Sequence, residues 1–195
     1  MGEQTSGERQ EALYAEFKAR AEAVSAVVER APTRADALAR VLARLREEGV
    51  ADAPGSYAVW ADGPICAGLN RLALAQNLPG LRFEVTRELA AGARVGVTEV
   101  GFAVANTGTL AAAADAVEQR LASTLPVVHV ALVPTAGLVA DLPQLFAQLG
   151  PARSRYLALV TGPSRTADIE RVLTIGVHGP ERLVIIFVDD LDRAG

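Results

Sequence analysis

The chain has little cysteine, no excess of basic residues and no long hydrophobic run. Cys66 is the one cysteine in 195 residues, which excludes an intramolecular disulfide and a zinc or iron–sulfur site built from several thiolates of this chain. Lys and Arg number 19 against 23 Asp and Glu, and this net charge of −4 argues against a protein that tracks nucleic-acid phosphates. No apolar run approaches the roughly 18 residues of a membrane-spanning helix, and the first residues lack the features of a signal peptide. We therefore expect a soluble cytoplasmic protein with no nucleic-acid partner and no membrane insertion.

The composition is that of an ordinary globular protein, 50% hydrophobic and 22% charged, and the length suits one domain with a full core. Residues 1–8 are polar and are predicted to form a disordered tail. We expect residues 9–50 to form a helical region that packs on the domain, and residues 51–195 to form an α/β domain.

The helical region is predicted to contain two helices before any strand. Apolar residues recur at steps near 3.6 and predict a helix over Arg9–Arg30, which ends before Pro32. Thr33 can cap a second helix, with Asp36 in the capping-box position, and Gly49 supplies its stop.

From Tyr57 onward, short strand-like runs alternate with helical segments, which indicates an α/β fold with a mostly parallel central sheet. Val127–Val133 and Leu183–Val188 are almost continuously apolar, as strands covered on both faces are. The remaining predicted strands are Tyr57–Trp60, Leu81–Val85, Val95–Val97, Phe102–Ala105, Leu110–Ala114 and Tyr156–Val160. Short helices are expected at about Leu69–Leu74, Leu138–Leu149 and Ala167–Leu173, and a hairpin around Asp115.

The segment Ala105–Thr109 is the first candidate site. It follows a predicted strand, and in open α/β sheets ligands bind beyond the carboxyl ends of the strands. Gly108 permits a tight backbone, while Asn106, Thr107 and Thr109 offer hydrogen bonds to a carboxylate or a phosphate. The same composition fits a plain hairpin turn, because the residues after Thr109 are themselves strand-like.

The segment Thr161–Asp168 is the second candidate, because it leads from a strand into a predicted helix. Ser164 or Thr166 could cap that helix, whose free N–H groups attract anions, and Arg165 adds a positive charge. The alternative is an ordinary capped helix start in which Asp168 pairs with a nearby arginine. No P-loop and no dinucleotide-binding glycine fingerprint is present.

The two histidines differ in their surroundings. His129 lies within an apolar strand. A histidine in such a position is more often a hydrogen-bonded core residue than a catalytic one. His178 lies between glycines and a proline, so it could act in acid–base chemistry or bind a carboxylate, or it could be a surface residue of a turn. Two histidines without i, i+4 spacing give little support for a metal site, and none is predicted. Cys66 is interpreted as a small hydrophobic residue.

Four blocks of the sequence, in order over about half the chain, resemble the LUD domain of the lactate-utilisation protein C family. The third block, Gly-Pro-Ser-Arg-Thr-Ala-Asp-Ile-Glu, is highly specific, as is the Gly-Val-His-Gly-Pro that follows it. The blocks are Gly96–Thr98 continuing to Phe102–Thr109, Arg120–Pro126 with His129, Thr161–Glu170, and Gly176–Pro180.

This resemblance implies a three-layer α/β/α sandwich similar to the NagB/RpiA/CoA-transferase superfamily, with a Rossmann-like sheet, over residues 51–195. It also implies a role in the oxidation of L-lactate to pyruvate, as one member of a three-protein system whose other subunits carry the iron–sulfur clusters. No cofactor is expected on this chain, and the single cysteine agrees with that division of labour.

The site that we predict from these blocks is a pocket for a small carboxylate. Arg165 or Arg120 would bind the carboxylate, and His178 would hydrogen-bond or move a proton at the hydroxyl carbon. The pocket residues are Asn106, Thr107, Gly108, Thr109, Arg120, Thr161, Gly162, Ser164, Arg165, Thr166, Asp168 and His178.

Two other functions remain open from the sequence. The chain could be a stand-alone isomerase or acyl/CoA transferase, for which Glu99 is the nearest candidate nucleophile, although fold analogy alone is a weak argument for chemistry. It could also be a scaffold without a catalytic role.

Overall fold

The computed structural model describes residues 6–149, 155–167, 173–175 and 179–191, and they form an α/β fold. The helices of these residues are α1 (Ser6–Ala23), α2 (Arg34–Glu47), α3 (Pro64–Ala67), α4 (Arg71–Asn77), α5 (Arg87–Ala91), α6 (Val117–Thr124) and α7 (Leu142–Leu149). The strands are β1 (Val27–Ala31), β2 (Tyr57–Trp60), β3 (Leu81–Arg82), β4 (Ala93–Glu99), β5 (Phe102–Val104), β6 (Thr109–Ala113), β7 (Val128–Pro134), β8 (Leu138–Val139), β9 (Leu157–Val160), β10 (Arg165–Ala167), β11 (Leu173–Ile175) and β12 (Arg182–Val188).

The central sheet has six strands in the order β1-β12-β7-β4-β2-β3, and every neighbouring pair is parallel. All seven residues of β7 are buried, as are the last six of β12. Such continuous burial requires cover on both faces of the sheet. The predicted fold class, α/β with a mostly parallel central sheet, is confirmed.

The two faces of this sheet are covered differently. Helices α2, α3 and α4 pack on one face, where Val41 and Leu45 of α2 belong to the same buried cluster as Val130 of β7 and Ile186 of β12. Helices α1, α5 and α6 lie on the other face together with a second sheet of four strands, ordered β8-β5-β6-β9. In this second sheet β6 is antiparallel to both β5 and β9.

The start of α2 follows the predicted capping pattern. The Thr33 hydroxyl oxygen accepts a hydrogen bond of 3.1 Å from the Asp36 backbone N–H. The Thr33 hydroxyl also bonds an Asp36 carboxylate oxygen at 2.7 Å. The cap satisfies one of the N–H groups that have no partner within the helix.

The first predicted helix, Arg9–Arg30, is wrong beyond Ala23. Ser25 takes a left-handed conformation (φ 70°), and β1 follows it and pairs with β12. Val24, which continues the helical spacing, lies in the turn after α1, and Val28 lies in β1 with its side chain buried. Helix α1 begins at Ser6, inside the segment predicted as a tail.

Four further predicted elements differ from the structure. The strand predicted over Leu81–Val85 is limited to the two residues of β3. Ala167 and Leu173, the ends of a predicted helix, lie instead in the antiparallel pair β10 and β11, and residues 168–172 are outside the described residues. No hairpin forms at Asp115: its carboxylate accepts the backbone N–H groups of Arg155 and Tyr156 at 2.8 and 2.9 Å, and β6 leads into α6. In the segment Leu138–Leu149 the helix begins at Leu142, because the first two residues pair with β5 as β8.

Candidate functional site

The central sheet has a crevice between the carboxyl ends of β2 and β4. After β2 the chain enters α3, which packs on the α2 face, whereas after β4 it enters the second sheet and then α6 on the opposite face. Neighbouring strands whose connections leave to opposite faces define the topological switch point where open α/β sheets bind ligands. Asp62, two residues beyond β2, and Glu99, the last residue of β4, lie at this point.

The carboxylate of Glu99 is held by the backbone of α3. One oxygen, Oε1, accepts the N–H groups of Ile65 and Cys66 at 2.9 and 3.2 Å. Gly63 makes this approach possible, because a Cβ at residue 63 would lie 2.4 Å from Glu99 Oε1. Burial raises the pKa of the Glu99 carboxyl, while the two backbone hydrogen bonds act in the opposite direction.

A cleft of about 570 Å³ opens beside this crevice, and its walls are acidic. Its lining residues are Asp62, Phe83, Glu84, Val85, Thr86, Ala116, Glu118 and Gln119. Asp62 forms an ion pair with Arg71, and the carbonyl oxygen of Asp62 accepts a hydrogen bond of 3.0 Å from the Gln119 amide. The exposed carboxylates of Glu84 and Glu118 have no ion pair with any residue that the structure describes.

A second, much smaller cavity of about 20 Å³ lies between the two sheets, and Thr98, His129, Ser123 and Gln119 contribute its polar groups. His129 Nε2 and Thr98 Oγ1 are 2.8 Å apart, and each residue is only 2% exposed. Burial lowers the pKa of His129 to about 4, so the imidazole is neutral at pH 7. Gln119 lines both this cavity and the open cleft.

The loops predicted as the carboxylate pocket do come together in part. The hydroxyl groups of Thr109 and Thr161 are 2.8 Å apart, at the ends of β6 and β9. The Ser164 N–H donates to the Pro180 carbonyl oxygen at 2.9 Å, and Ser164 Cβ lies 3.2 Å from the position of a Cβ on Gly179. Three of the four sequence blocks are thus neighbours at this place, which we call the loop cluster (residues 105–109, 161–165 and 179–180).

Within the loop cluster, Gly108 and Gly162 pack against the end of α1 and the turn after it. Both have positive φ (65° and 74°). A Cβ on Gly108 would lie 2.5 Å from the Ala21 nitrogen, and one on Gly162 would lie 2.9 Å from the Val24 carbonyl oxygen. These two glycines, predicted as residues of the carboxylate pocket, therefore make room for this N-terminal segment of the chain.

The arginines predicted to bind a carboxylate form hydrogen bonds to protein oxygens. Arg165 donates to the Val24 carbonyl and the Ser25 hydroxyl, both at 2.7 Å, and Arg165–Ala167 is a strand, so Ser164 and Thr166 cap no helix at this point. Arg120 donates to the carbonyl oxygens of Ala114 and Asp115 at 2.5 and 2.9 Å. Because β6 separates Ala114 from Thr109, Arg120 is at the opposite end of β6 from the loop cluster.

The other predicted residues divide into two groups. Asn106 and Thr107 are exposed in the turn between β5 and β6, which is the hairpin alternative for this segment. Asp168, His178 and the side chain of Thr166 lie outside the described residues.

Cys66 is buried, and burial raises the pKa of its thiol to about 11, so the thiol stays protonated at pH 7. In the part of the chain that the structure describes, no three His, Cys, Asp or Glu side chains are grouped to hold a metal ion. None of the helices in this part has the length and apolarity needed to cross a membrane.

Comparisons with known proteins agree with the fold and the sequence blocks. The LUD domain family model matches residues 14–188. A lactate utilization protein C from Exiguobacterium sp. is 37% identical over 114 residues, which cover 55% of this chain and 50% of the relative. Another protein of that name, from Macrococcus caseolyticus, is 36% identical over 109 residues, 53% of this chain and 47% of the relative.

The chain thus spans about half the length of the curated relatives it matches. Among solved structures, a DUF162 family protein from Deinococcus radiodurans is similar, with a TM-score of 0.60 and 21% identity. That match covers 92% of this chain and 98% of the other, and it shows that the two share a fold.

Proposed function

The chain belongs to the LUD domain family, and we propose on this ground that it acts in lactate utilisation, as a subunit of a system that oxidises L-lactate to pyruvate. The observation that carries the proposal is the similarity to proteins named lactate utilization protein C, at 36 and 37% identity in the two relatives described above.

The redox part of this reaction falls to partner subunits. Oxidation of lactate to pyruvate removes two electrons and two protons, and the amino-acid side chains of this chain provide no acceptor for a hydride. An iron–sulfur cluster needs several cysteine ligands, whereas this chain has Cys66 alone. The partners that we propose are therefore iron–sulfur subunits.

The part of the chain that we assign to the lactate carboxylate is the loop cluster. In its favour, the hydroxyl groups of Thr109, Thr161 and Ser164 are donors of the kind that bind a carboxylate, and Arg165 adds a positive charge next to Ser164. His178 directly precedes Gly179 in the sequence, and Gly179 lies against Ser164. The acidic cleft is a poor place for lactate, because the carboxylates of Glu84 and Glu118 line it and have no ion pair among the described residues.

Arg165 takes a modified role in this proposal. Its guanidinium holds the α1–β1 turn through Val24 and Ser25, so it keeps the loop cluster in shape as well as supplying charge. Arg120 has no part in the site, because its hydrogen bonds are at the other end of β6.

A deletion strain of the source organism tests the role in lactate utilisation. We expect it to lose growth on L-lactate as the sole carbon source and to keep growth on pyruvate, with growth on L-lactate restored by the wild-type gene. A strain that grows equally on both without the gene would contradict the proposal.

The site is tested by Thr161→Ala, with Thr124→Ala, an exposed threonine on α6, as the matched control. Removal of the Thr161 hydroxyl group is expected to raise the KM for L-lactate in the complete system about tenfold, the effect of roughly one hydrogen bond to a charged group. An unchanged KM in the Thr161 variant would mean that the lactate carboxylate does not bind at the loop cluster.

A further inference from the structure

Helix α1 ends in a turn whose left-handed residue is a serine. The Ala26 N–H donates to the Ala21 carbonyl oxygen at 3.1 Å. Inside this bond, the Ser25 N–H donates to the Glu22 carbonyl oxygen at 2.9 Å. The two bonds form the Schellman motif, in which the residue at the position of Ser25 has positive φ and is usually glycine. Ser25, with φ 70°, is the one non-glycine residue with positive φ in the described part of the chain.

The same motif at the end of α2 has a glycine at this position. Gly49 has φ 71°, and its N–H donates to the Arg46 carbonyl oxygen at 3.0 Å. The Val50 N–H donates to the Leu45 carbonyl oxygen, also at 3.0 Å. Glycine takes this conformation without steric cost, whereas a residue with a Cβ does not. The backbone of the α1 turn therefore favours glycine, and a strained serine in its place points to a role for the side chain.

The hydroxyl group of Ser25 has a specific partner, the guanidinium of Arg165. Nη2 of Arg165 donates to the Ser25 hydroxyl oxygen and to the Val24 carbonyl oxygen, both at 2.7 Å. Val24 directly follows the last residue of α1, where carbonyl groups have no partner within the helix. Two acceptors at one helix end thus hold a single nitrogen of Arg165.

The remaining donors of Arg165 are left for a ligand. Both bonds to the turn use Nη2, and in the described part of the chain no residue accepts from Nε or Nη1. The side chain is exposed, and its neighbour Ser164 belongs to the loop cluster. An exposed arginine that nothing holds changes rotamer freely. Fixing it in advance lowers the entropy that is lost when a carboxylate binds.

We infer that Ser25 is a positioning residue, whose hydroxyl group fixes the Arg165 guanidinium so that its Nε and Nη1 groups can bind the lactate carboxylate. The inference rests on the carboxylate site proposed above for the loop cluster, and it adds to that site a residue 140 positions away in the sequence. Ser25 acts through Arg165 and does not contact the substrate. Removal of its hydroxyl group is therefore expected to weaken lactate binding without slowing the chemical step.

The direct test compares Ser25→Gly with Ser25→Ala, each in the full chain within the complete lactate-oxidising system. Both variants lack the hydroxyl group, so both are expected to raise the KM for L-lactate about fivefold with kcat unchanged, the effect of roughly one hydrogen bond. Urea unfolding is expected to separate them. Glycine relieves the left-handed backbone whereas alanine does not, so the unfolding midpoint of Ser25→Gly lies above that of Ser25→Ala.

Three further variants complete the test. Gly49→Ser places a serine at the same point of the α2 motif, where a Cβ meets no atom within 4 Å. This control is expected to lower the unfolding midpoint and to keep the wild-type KM. Arg165→Ala is expected to raise KM at least as much as Ser25→Gly. The double variant Ser25→Gly/Arg165→Ala is expected to raise KM no further than Arg165→Ala, because Ser25 acts through Arg165.

Three results would overturn the positioning role of Ser25: a wild-type KM in Ser25→Gly, a KM raised in Ser25→Ala alone, or a double variant whose effect is the product of the two single effects. In each of these cases a raised KM in Arg165→Ala would leave the proposed carboxylate site standing without Ser25. A wild-type KM in Arg165→Ala would overturn the contact between Arg165 and lactate together with the inference.

Discussion

The guanidinium of Arg165 donates a hydrogen bond of 2.7 Å to the carbonyl oxygen of Val24, 141 residues earlier in the chain. Arg165 thereby ties the most specific sequence block to the turn that connects α1 with β1. Its second bond, to the hydroxyl group of Ser25, is made at a residue with left-handed backbone conformation.

Arg165→Ala is therefore expected to destabilise the protein as well as to affect ligand binding. Because Arg165 is exposed, the loss is expected to be about 1 kcal/mol, the net value of an ordinary hydrogen bond. Urea unfolding measures it, with Arg9→Ala on the exposed surface of α1 as the control. Equal stability of the two variants would mean that Arg165 does not hold the turn.

Gly108, which packs against the end of α1, leads to a second prediction about stability. Gly108→Ala forces a side chain into a left-handed backbone conformation and places Cβ 2.5 Å from the Ala21 nitrogen, so α1 must move. We expect a loss of about 2 kcal/mol or more, from strain and overpacking together.

Gly101→Ala is the matched control, because a Cβ at residue 101 meets no atom within 4 Å. It is expected to change the free energy of unfolding by less than about 0.5 kcal/mol. If both variants lose the same stability, the contact between Gly108 and α1 is not the cause.

The buried carboxylate of Glu99 predicts an effect of pH. A raised pKa means that the native state favours the protonated form, so this group makes the protein less stable as the pH rises above its ordinary value of 4.5. Glu99→Gln keeps an oxygen for the N–H groups of Ile65 and Cys66 without the charge. We expect this variant to be as stable as the wild type at pH 4.5 and more stable at pH 7, by urea unfolding.

Glu99→Ala separates the role of the hydrogen bonds from that of the charge. It leaves the two N–H groups at the start of α3 without their acceptor, so a loss of about 1–3 kcal/mol is expected. An alanine variant as stable as the glutamine variant would contradict the hydrogen-bonding role.

For His129 we expect the stability of the protein to depend on pH in the opposite direction. Its pKa is lowered from 6.5 to about 4, so the unfolded state binds more protons between these values, and the native state loses stability as the pH falls through this range. At about 1.4 kcal/mol for each pKa unit, the loss approaches 3 kcal/mol at pH 4. His129→Gln retains a partner for Thr98 and cannot titrate. The stability difference between wild type and variant should therefore shrink or reverse as the pH falls from 7 to 4. A difference that stays constant over this range would contradict the lowered pKa of His129.

Local signals in the sequence were sufficient for much of the fold. The capping residues Thr33 and Asp36 predict the start of α2, and the continuous apolar runs predict β7 and β12 as buried strands. The helical spacing failed beyond Ala23, because it carries no signal for the left-handed turn at Ser25 that leads into β1. The helix expected over Ala167–Leu173 failed at its ends, where backbone pairing between β10 and β11 outweighs local propensity.

The site was harder to predict, because glycine and arginine in a loop have the same sequence signal whether they meet a ligand or another part of the chain. Gly108, Gly162 and Arg165 all contact the segment around Val24, which is distant in sequence. Asp62 could have been found from its position just after β2. Gln119 could not, because its place between two cavities depends on how α6 packs on the sheets.

The central claim, that this chain is a subunit of a lactate-oxidising system, is tested most directly by reconstitution with purified iron–sulfur partner subunits. Pyruvate formation from L-lactate is measured with a dye as electron acceptor, with and without this chain. We expect pyruvate to form at a substantial rate only when the chain is present. An equal rate without the chain would contradict it.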